Sequence, residues 1–245
     1  MNNLSIVLLA GGVGTRMRST LPKALHPVKH IAMLSRILNT CLSLRPVEII
    51  LLCSPKTYKQ TKEVISRDFK LSEIYTNIRY EIQPLAEGTG HAAMYAIQNI
   101  KDTNNVLILN GDSPFITFKT LYNMTSTSAA KLLITYKQNP FGNGRIILDG
   151  TKVIDIVEEK DCNDKQRLIK IVNGGSYCIN AKTLKYLLSF VDNKNKQNEY
   201  YLTNITSIYV KKMNKCFKGS MCKKEELQNV NDRTQLALCN KVCQL

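Results

Sequence analysis

At 245 residues the chain can bury a full hydrophobic core, as one domain or as a core with a lobe. No stretch approaches the ~20 continuous apolar residues of a membrane span, and the N-terminus lacks the charged region, apolar run and small-residue cleavage site of a secretion signal, so a soluble, cytoplasmic protein with no membrane role is expected. The net charge of +15 would suit nucleic acid, yet the lysines are dispersed, with only short clusters such as Lys211-Lys212 and Lys223-Lys224, and no aromatic-rich recognition motif accompanies them. The expectation is a solvated basic surface without a nucleic-acid partner, its charge drawing small anions over long range.

Along the first half, short apolar runs alternate with helical periodicity, the pattern of βαβ units and a mostly parallel sheet. Strands are expected over 5–9, 48–53, 79–83 and 106–109, and helices over 32–44, 57–67, 90–99 and 118–127. After residue 130 the pattern turns to strands over 131–137, 144–148, 153–157 and 169–179, consistent with an antiparallel element. Helices then follow over 181–190, 200–213 and 230–243. No repeat, low-complexity segment or long linker interrupts the series, so residues 1–245 read as a single compact domain. The eight cysteines scatter without a metal-ligand rhythm and read as mostly buried thiols in a reducing compartment. Cys239 and Cys243 share a helix face and Cys216 lies near Cys222, but none of His26, His30 and His91 is close in sequence, and no zinc site is expected there.

The densest chemistry lies at the start. The strand over 5–9 runs into Ala10-Gly11-Gly12-Val13-Gly14-Thr15-Arg16-Met17, with Pro22-Lys23 beyond. Glycines let the backbone bend and turn its N–H groups toward an anion, while Arg16 and Lys23 add positive charge. The spacing is neither that of a P-loop nor that of the dinucleotide fingerprint. A Gly-rich turn after a strand is structurally ordinary; the basic pair tips the reading toward phosphate. In open α/β sheets ligands sit outside the carboxyl ends of the strands, and Gln83 and Asp112 fall at two further such ends.

The segment Leu9-Ala10-Gly11-Gly12-x-Gly14-Thr15-Arg16-Met17 with Pro22-Lys23 resembles the signature of sugar-phosphate nucleotidyltransferases. Five more segments follow in family order: Gln83-Pro84-Leu85-Ala86-Glu87-Gly88-Thr89-Gly90-His91, Gly111-Asp112-Ser113-Pro114, Gly142-Asn143-Gly144-Arg145, Val157-Glu158-Glu159-Lys160-Asp161 and Glu199-Tyr200-Tyr201-Leu202-Thr203. With Asn173 and Asn231 they sharpen the likeness to the N-acetylglucosamine-1-phosphate uridyltransferase branch. The resemblance implies a Rossmann-like α/β fold with a mostly parallel mixed sheet and a smaller antiparallel sugar-binding lobe. It implies Mg²⁺-dependent transfer of UMP from UTP to N-acetylglucosamine 1-phosphate, giving UDP-N-acetylglucosamine and pyrophosphate for peptidoglycan synthesis in a bacterial cytoplasm. It leaves a homo-oligomer open.

Nucleotidyl transfer needs an aligned nucleophile, a neutralised triphosphate and a metal bridging phosphate oxygens, with no covalent enzyme intermediate. By resemblance, Leu9, Ala10, Gly11, Gly12, Gly14 and Thr15 line the nucleotide site, Arg16 meets the β and γ phosphates with the glycine loop, and Lys23 meets charge near the α-phosphate. Asp112 and Asn231 hold Mg²⁺, and Asp112 joins Arg16 and Lys23 as the catalytic set. Gln83, with backbone groups near Gly88 and Thr89, reads uracil. Gly144, Glu158 and Asn173 hold the sugar hydroxyls and the N-acetyl group. Plainer roles stand beside these: a turn residue before Pro114 for Asp112, a helix N-cap for Asn231, a solvated carboxylate for Glu158.

Departures from the family pattern bear on the choice of sugar and base. Ala10-Gly11-Gly12 replaces Ala-Ala-Gly, Asn110 stands where Tyr is common, Asn204 replaces an acidic residue, and Asn229 replaces a Gly. No hexapeptide repeat of a left-handed β-helix follows, so acetyl transfer is not expected of this chain. Another hexose 1-phosphate or nucleotide remains the alternative among enzymes, and a catalytically lapsed nucleotide-sugar binder the alternative beyond them.

Overall fold

The computed structural model describes residues 3–69 and 76–242. It begins with β1 (Leu4–Leu9), whose side chains are almost all buried on both faces, as a central parallel strand requires. A hairpin of β2 (Pro27–Val28) and β3 (Ile31–Ala32) leads into α1 (Met33–Leu42), β4 (Glu48–Cys53), α2 (Tyr58–Asp68), β5 (Asn77–Ile82), α3 (Thr89–Ile97), β6 (Asn105–Asn110) and α4 (Phe118–Thr125). Then come β7 (Lys131–Tyr136), β8 (Arg145–Asp149), β9 (Lys152–Val157), α5 (Asp164–Arg167), β10 (Ile171–Asn180), α6 (Ala181–Leu188), α7 (Ile205–Met213), β11 (Phe217–Met221) and α8 (Arg233–Val242).

Among the described residues, nine strands form one sheet in the order β5-β4-β1-β6-β10-β7-β11-β9-β8. The first four run parallel, and β10 is antiparallel to both β6 and β7. The antiparallel strands of the lobe are therefore hydrogen-bonded continuations of the main sheet. Side chains of β1 alternate between two cores: Val7 packs in one with Ala93, Ala96 and Leu184, Ile6 and Leu8 in the other with Leu34, Leu38 and Leu121. Truncating Ile6 to Ala would cost about 2–5 kcal/mol in transfer and cavity terms.

Besides the short β2–β3 hairpin and α5, which the sequence pattern does not announce, three longer elements begin or occur where sequence periodicity does not place them. Helix α7 starts at Ile205 and not at 200, because Tyr200 is tied to the preceding turn: its N–H donates to Glu87 O (2.8 Å) and its carbonyl accepts from Gly90 N–H (2.7 Å). Helix α8 starts at Arg233, since Val230 N–H donates to Asp112 O (3.2 Å) and Asp232 accepts from Gln235 N–H (2.8 Å). The cap is thus Asp232, which frees Asn231 from that role. Strand β11 lacks apolar alternation and forms through its parallel pairing with β7. Five of the seven described cysteines are buried; Cys243, at the end of the expected last helix, lies outside the described residues. No helix among the described residues is long and apolar enough to cross a membrane.

Candidate active site

Strand β1 has β4 on one side and β6 on the other, so the loops leaving their carboxyl ends diverge and open a crevice. A cavity of about 390 Å³ fills it. Leu9, Ala10, Gly11, Gly12 and Lys23 line it from the first loop, Gln83, Gly88 and Thr89 from the β5–α3 connection, and Asp112 from beyond β6. A second cavity of about 170 Å³ takes Gly144, Glu158 and Asn173 in its walls, and Thr89 and Asn110 belong to both cavities. Of the residues expected in the site, Gly14, Thr15, Arg16 and Asn231 line neither. Thr15 and Arg16 are exposed on the 3₁₀ turn Thr15–Met17 at the rim. Gly14 adopts φ 75°, and a Cβ there would come 2.5 Å from the Cβ of Lys23, so only glycine lets Lys23 close onto the loop.

Charge gathers at one point of the larger cavity. Lys23 Nζ donates to Asp112 Oδ2 (2.5 Å) and to Asn231 Oδ1 (3.2 Å), and Arg16 Nη2 reaches the same Asn231 oxygen at 3.4 Å. Asp112 is 7% exposed, and its Oδ1 is buried with no hydrogen-bond partner. An orphaned carboxylate oxygen is costly unless something meets it. The donor set suits a hard divalent cation, which takes oxygen ligands and draws the rest of its shell from phosphates and water. No group of three or more His, Cys, Asp or Glu suited to a metal occurs among the described residues, so the protein's share would be this small one.

Elsewhere the larger cavity is walled by glycine turns and by the side chains of Gln83, Thr89 and Asn110. A Cβ on Gly12 would meet nothing within 4 Å, leaving its peptide open to a ligand. Gly88 adopts φ 109°, and a Cβ there would lie 2.6 Å from Tyr200 O, so the turn sits hard against the 199–203 segment. Gln83 is buried; its N–H donates to Cys53 O (2.8 Å), which fixes the backbone, and its Nε2 lies 3.0 Å from His91 Nδ1.

The smaller cavity is built from side chains. Burial pushes the Glu158 carboxyl up, against the bond it accepts from Thr203 Oγ1 (3.0 Å). Asn173 uses its Oδ1 to accept Gly175 N–H (2.9 Å) and one amide hydrogen to reach Tyr177 Oη (3.0 Å), which leaves one amide N–H for a ligand. Gly144 O accepts Asn173 N–H (2.9 Å). The 142–144 turn hangs on Glu159, which accepts from Gly142 N–H (2.9 Å), from buried Arg145 (2.7 Å) and from Arg167 (2.8 Å). Burial opposes ionisation of Glu159, but the bonds from Arg145 and Gly142 outweigh it and hold the carboxyl below the usual range.

Several contributors were not singled out from the sequence. Thr203, Glu159 and His91 lie inside recognisable motifs, so their place was visible and their partners were not. The same holds for Glu199, which lines the larger cavity; Tyr177, in the smaller cavity, and Ser54, in the larger, carry no signal of their own. Asn110, with Thr89, is common to both cavities, and its amide fills the space that a Cβ on Gly175, at φ 72°, would need.

A sheet of this order, with ligand-sized cavities at the carboxyl ends of β1 and β6 and a lysine–carboxylate–amide cluster between loops, is the architecture of a phosphate-handling α/β protein. The family model for nucleotidyl transferases matches residues 5–224, and the chain belongs to that family. It is 38% identical to the bifunctional protein GlmU of Nitrosococcus oceani and 34% identical to that of Gloeothece citriformis, with 98% of this chain but 52% of each relative covered. The chain thus spans about half the length of these curated relatives. A protein of Acanthamoeba polyphaga mimivirus, named as a probable UDP-N-acetylglucosamine pyrophosphorylase, is 37% identical over 98% of this chain and 96% of its own length. A solved structure from Bacillus anthracis, assigned as a glucose-1-phosphate thymidylyltransferase, superposes with a TM-score of 0.78 at 18% identity, over 98% of this chain and 95% of the other, and shares the fold.

Proposed function

We propose that the chain transfers UMP from UTP to N-acetylglucosamine 1-phosphate, releasing pyrophosphate. The observation that carries this reading is the pair of adjoining cavities that meet at Thr89 and Asn110, with the Lys23, Asp112 and Asn231 cluster on the wall of the larger. The mimivirus relative of nearly equal length supports the choice of sugar and base.

On this reading the larger cavity holds the nucleotide and the smaller the sugar. A phosphate oxygen of the sugar 1-phosphate attacks the α-phosphorus; that bond forms as the bond to the bridging oxygen of the β-phosphate breaks, and pyrophosphate leaves with the electron pair. Gly12 offers the phosphates an open peptide, with Leu9, Ala10 and Gly11 lining the cavity behind it, while Gly14, Thr15 and Arg16 close over the β and γ groups from the rim. Lys23 lies where negative charge grows during transfer and stabilises it. Mg²⁺, held by Asp112 and Asn231, would neutralise the triphosphate. Gln83 with the Gly88–Thr89 backbone selects uracil; Gly144, Glu158 and Asn173 select the acetamido sugar. The reading takes residues 1–245 as one catalytic unit. Nucleotides and sugar phosphates are charged and do not cross membranes unaided, which supports a cytoplasmic site and a role in supplying peptidoglycan precursors.

A pyrophosphate-release assay over UTP, CTP, GTP and dTTP, each with N-acetylglucosamine, glucose and galactose 1-phosphates, tests this directly. The highest kcat/KM is expected for UTP with N-acetylglucosamine 1-phosphate. Another favoured pair would replace the substrate assignment, and no release with any pair would leave a binding protein.

A further inference from the structure

The Gln83 amide is anchored at one end only. Its Nε2 lies 3.0 Å from His91 Nδ1, whereas no described residue donates a hydrogen bond to its Oε1. His91 is itself held from three sides: its ring packs edge-on against Tyr95 (centroids 5.0 Å apart), stacks on Tyr200 (5.8 Å), and brings Nε2 to 3.4 Å from Glu87 Oε2. A carboxylate only accepts, so in the tautomer that places the proton on Nε2, toward Glu87, Nδ1 is an acceptor. Leu85 O, 3.2 Å from Nδ1, is an acceptor too and cannot satisfy it. The Gln83 NH₂ group can. That bond turns Oε1 to the opposite side, toward the cavity Gln83 lines.

Uracil and cytosine differ at this edge: N3 of uracil bears a hydrogen, and N3 of cytosine is a bare acceptor. An outward Oε1 accepts from the first and faces the second acceptor to acceptor. A free amide could turn over and offer its NH₂ to cytosine instead. We propose that His91 is a positioning residue that locks the Gln83 amide with its oxygen outward and so decides uracil over cytosine. The inference rests on the reading of Gln83 as the base contact.

The test compares the ratio of kcat/KM for UTP and CTP, with N-acetylglucosamine 1-phosphate, in the unmodified protein, Gln83→Ala, His91→Phe and His91→Asp. Phe keeps the packing between the two tyrosines and removes the acceptor; its ratio should fall by about tenfold or more, mainly through gained CTP activity. Asp restores an acceptor that cannot donate, and should hold the ratio within about threefold of the unmodified value. Preference among sugars should not move in either variant, which separates positioning from general damage. If the Phe variant turns over neither nucleotide, the same ratio is read from Kd values for UDP and CDP. An unchanged ratio in His91→Phe beside a collapsed one in Gln83→Ala overturns the role of His91. An unchanged ratio in Gln83→Ala overturns the base reading, and this inference with it.

Discussion

The loops leaving β1 and β6 and the wall formed by β8, β9 and β10 enclose neighbouring cavities by opposite means. Around the first, Gly12 leaves its peptide open to a ligand, Gly11 packs against the Cys53–Ser54 backbone, and the charged groups wait at the edge, with Lys23 21% exposed at its side chain and Arg16 at the rim. Around the second, nearly every polar atom already has a partner. Glu158 is held by Thr203, Asn173 by Gly175 and Tyr177, and the 142–144 turn by Glu159 with its two arginines. A polyanion is satisfied by N–H groups and cations from many directions, so its site tolerates mobile side chains. A sugar must be told from near-isosteres by single hydrogen bonds, which discriminate only if their owners cannot turn away.

If this division is right, damage on the phosphate side should appear in turnover. Asp112→Ala is expected to have the largest effect, a loss of ~10³-fold or more in metal-dependent kcat. The fold should persist, because Lys23 keeps Asn231 and some access to water. A folded Asp112→Ala protein with intact metal-dependent turnover would break the division outright. Next comes Lys23→Ala, for which steady-state kinetics should show kcat lowered by ~10²–10³ and a smaller change in nucleotide KM. An effect on KM alone would move Lys23 to ground-state binding and leave Arg16 as the stronger catalytic candidate.

On the sugar side the effects should be smaller and lie in selectivity. Asn173→Ala removes the one amide N–H left for the ligand, and the preference for N-acetylglucosamine 1-phosphate over glucose 1-phosphate should fall by ~5–150-fold, the range of one unsatisfied buried partner. Equal kcat/KM for both sugars in the unmodified protein would sink that assignment. The smallest effect sharpens the contrast through stability. Because burial raises the folded-state pKa of Glu158, its favourable contribution belongs to the protonated form and is lost as pH rises through that raised value. Glu158→Gln is neutral at every pH and its amide oxygen can still accept from Thr203. It should raise Tm by about 2–4 °C at pH 8, with the gain vanishing at acid pH, while weakening the sugar's KM. A lower Tm at pH 8 would show that Glu158 is stabilised as the anion.

Much of the phosphate side was legible from local sequence. The apolar run of β1 followed at once by Gly11, Gly12 and Gly14 announces a buried strand that ends in a tight turn on the cavity wall, and neighbours in sequence suffice to fix that geometry. Asp112 was legible for the same reason, lying just beyond the buried run of β6. The sugar side was legible only as residue identities. That Asn173 would spend its oxygen on Gly175, or that Glu159 would organise the 142–144 turn, depends on how β8, β9 and β10 come together, including the antiparallel pairing of Val172 with Arg145.

By itself, then, the sequence determined the central strands, the helices whose apolar faces repeat every three to four residues, and the glycine turn after β1, since each follows from a periodicity or a conformational preference confined to a few neighbouring residues. The tertiary structure decided β11, which has no alternation and exists by pairing with β7, the late start of α7, where Tyr200 bonds the Gly88–Gly90 turn, and the meeting of Lys23 with Asp112 and Asn231, 89 and 208 positions away. Those outcomes rest on hydrogen bonds between segments remote along the chain, and such bonds exist only once the strand order has set which loops lie side by side.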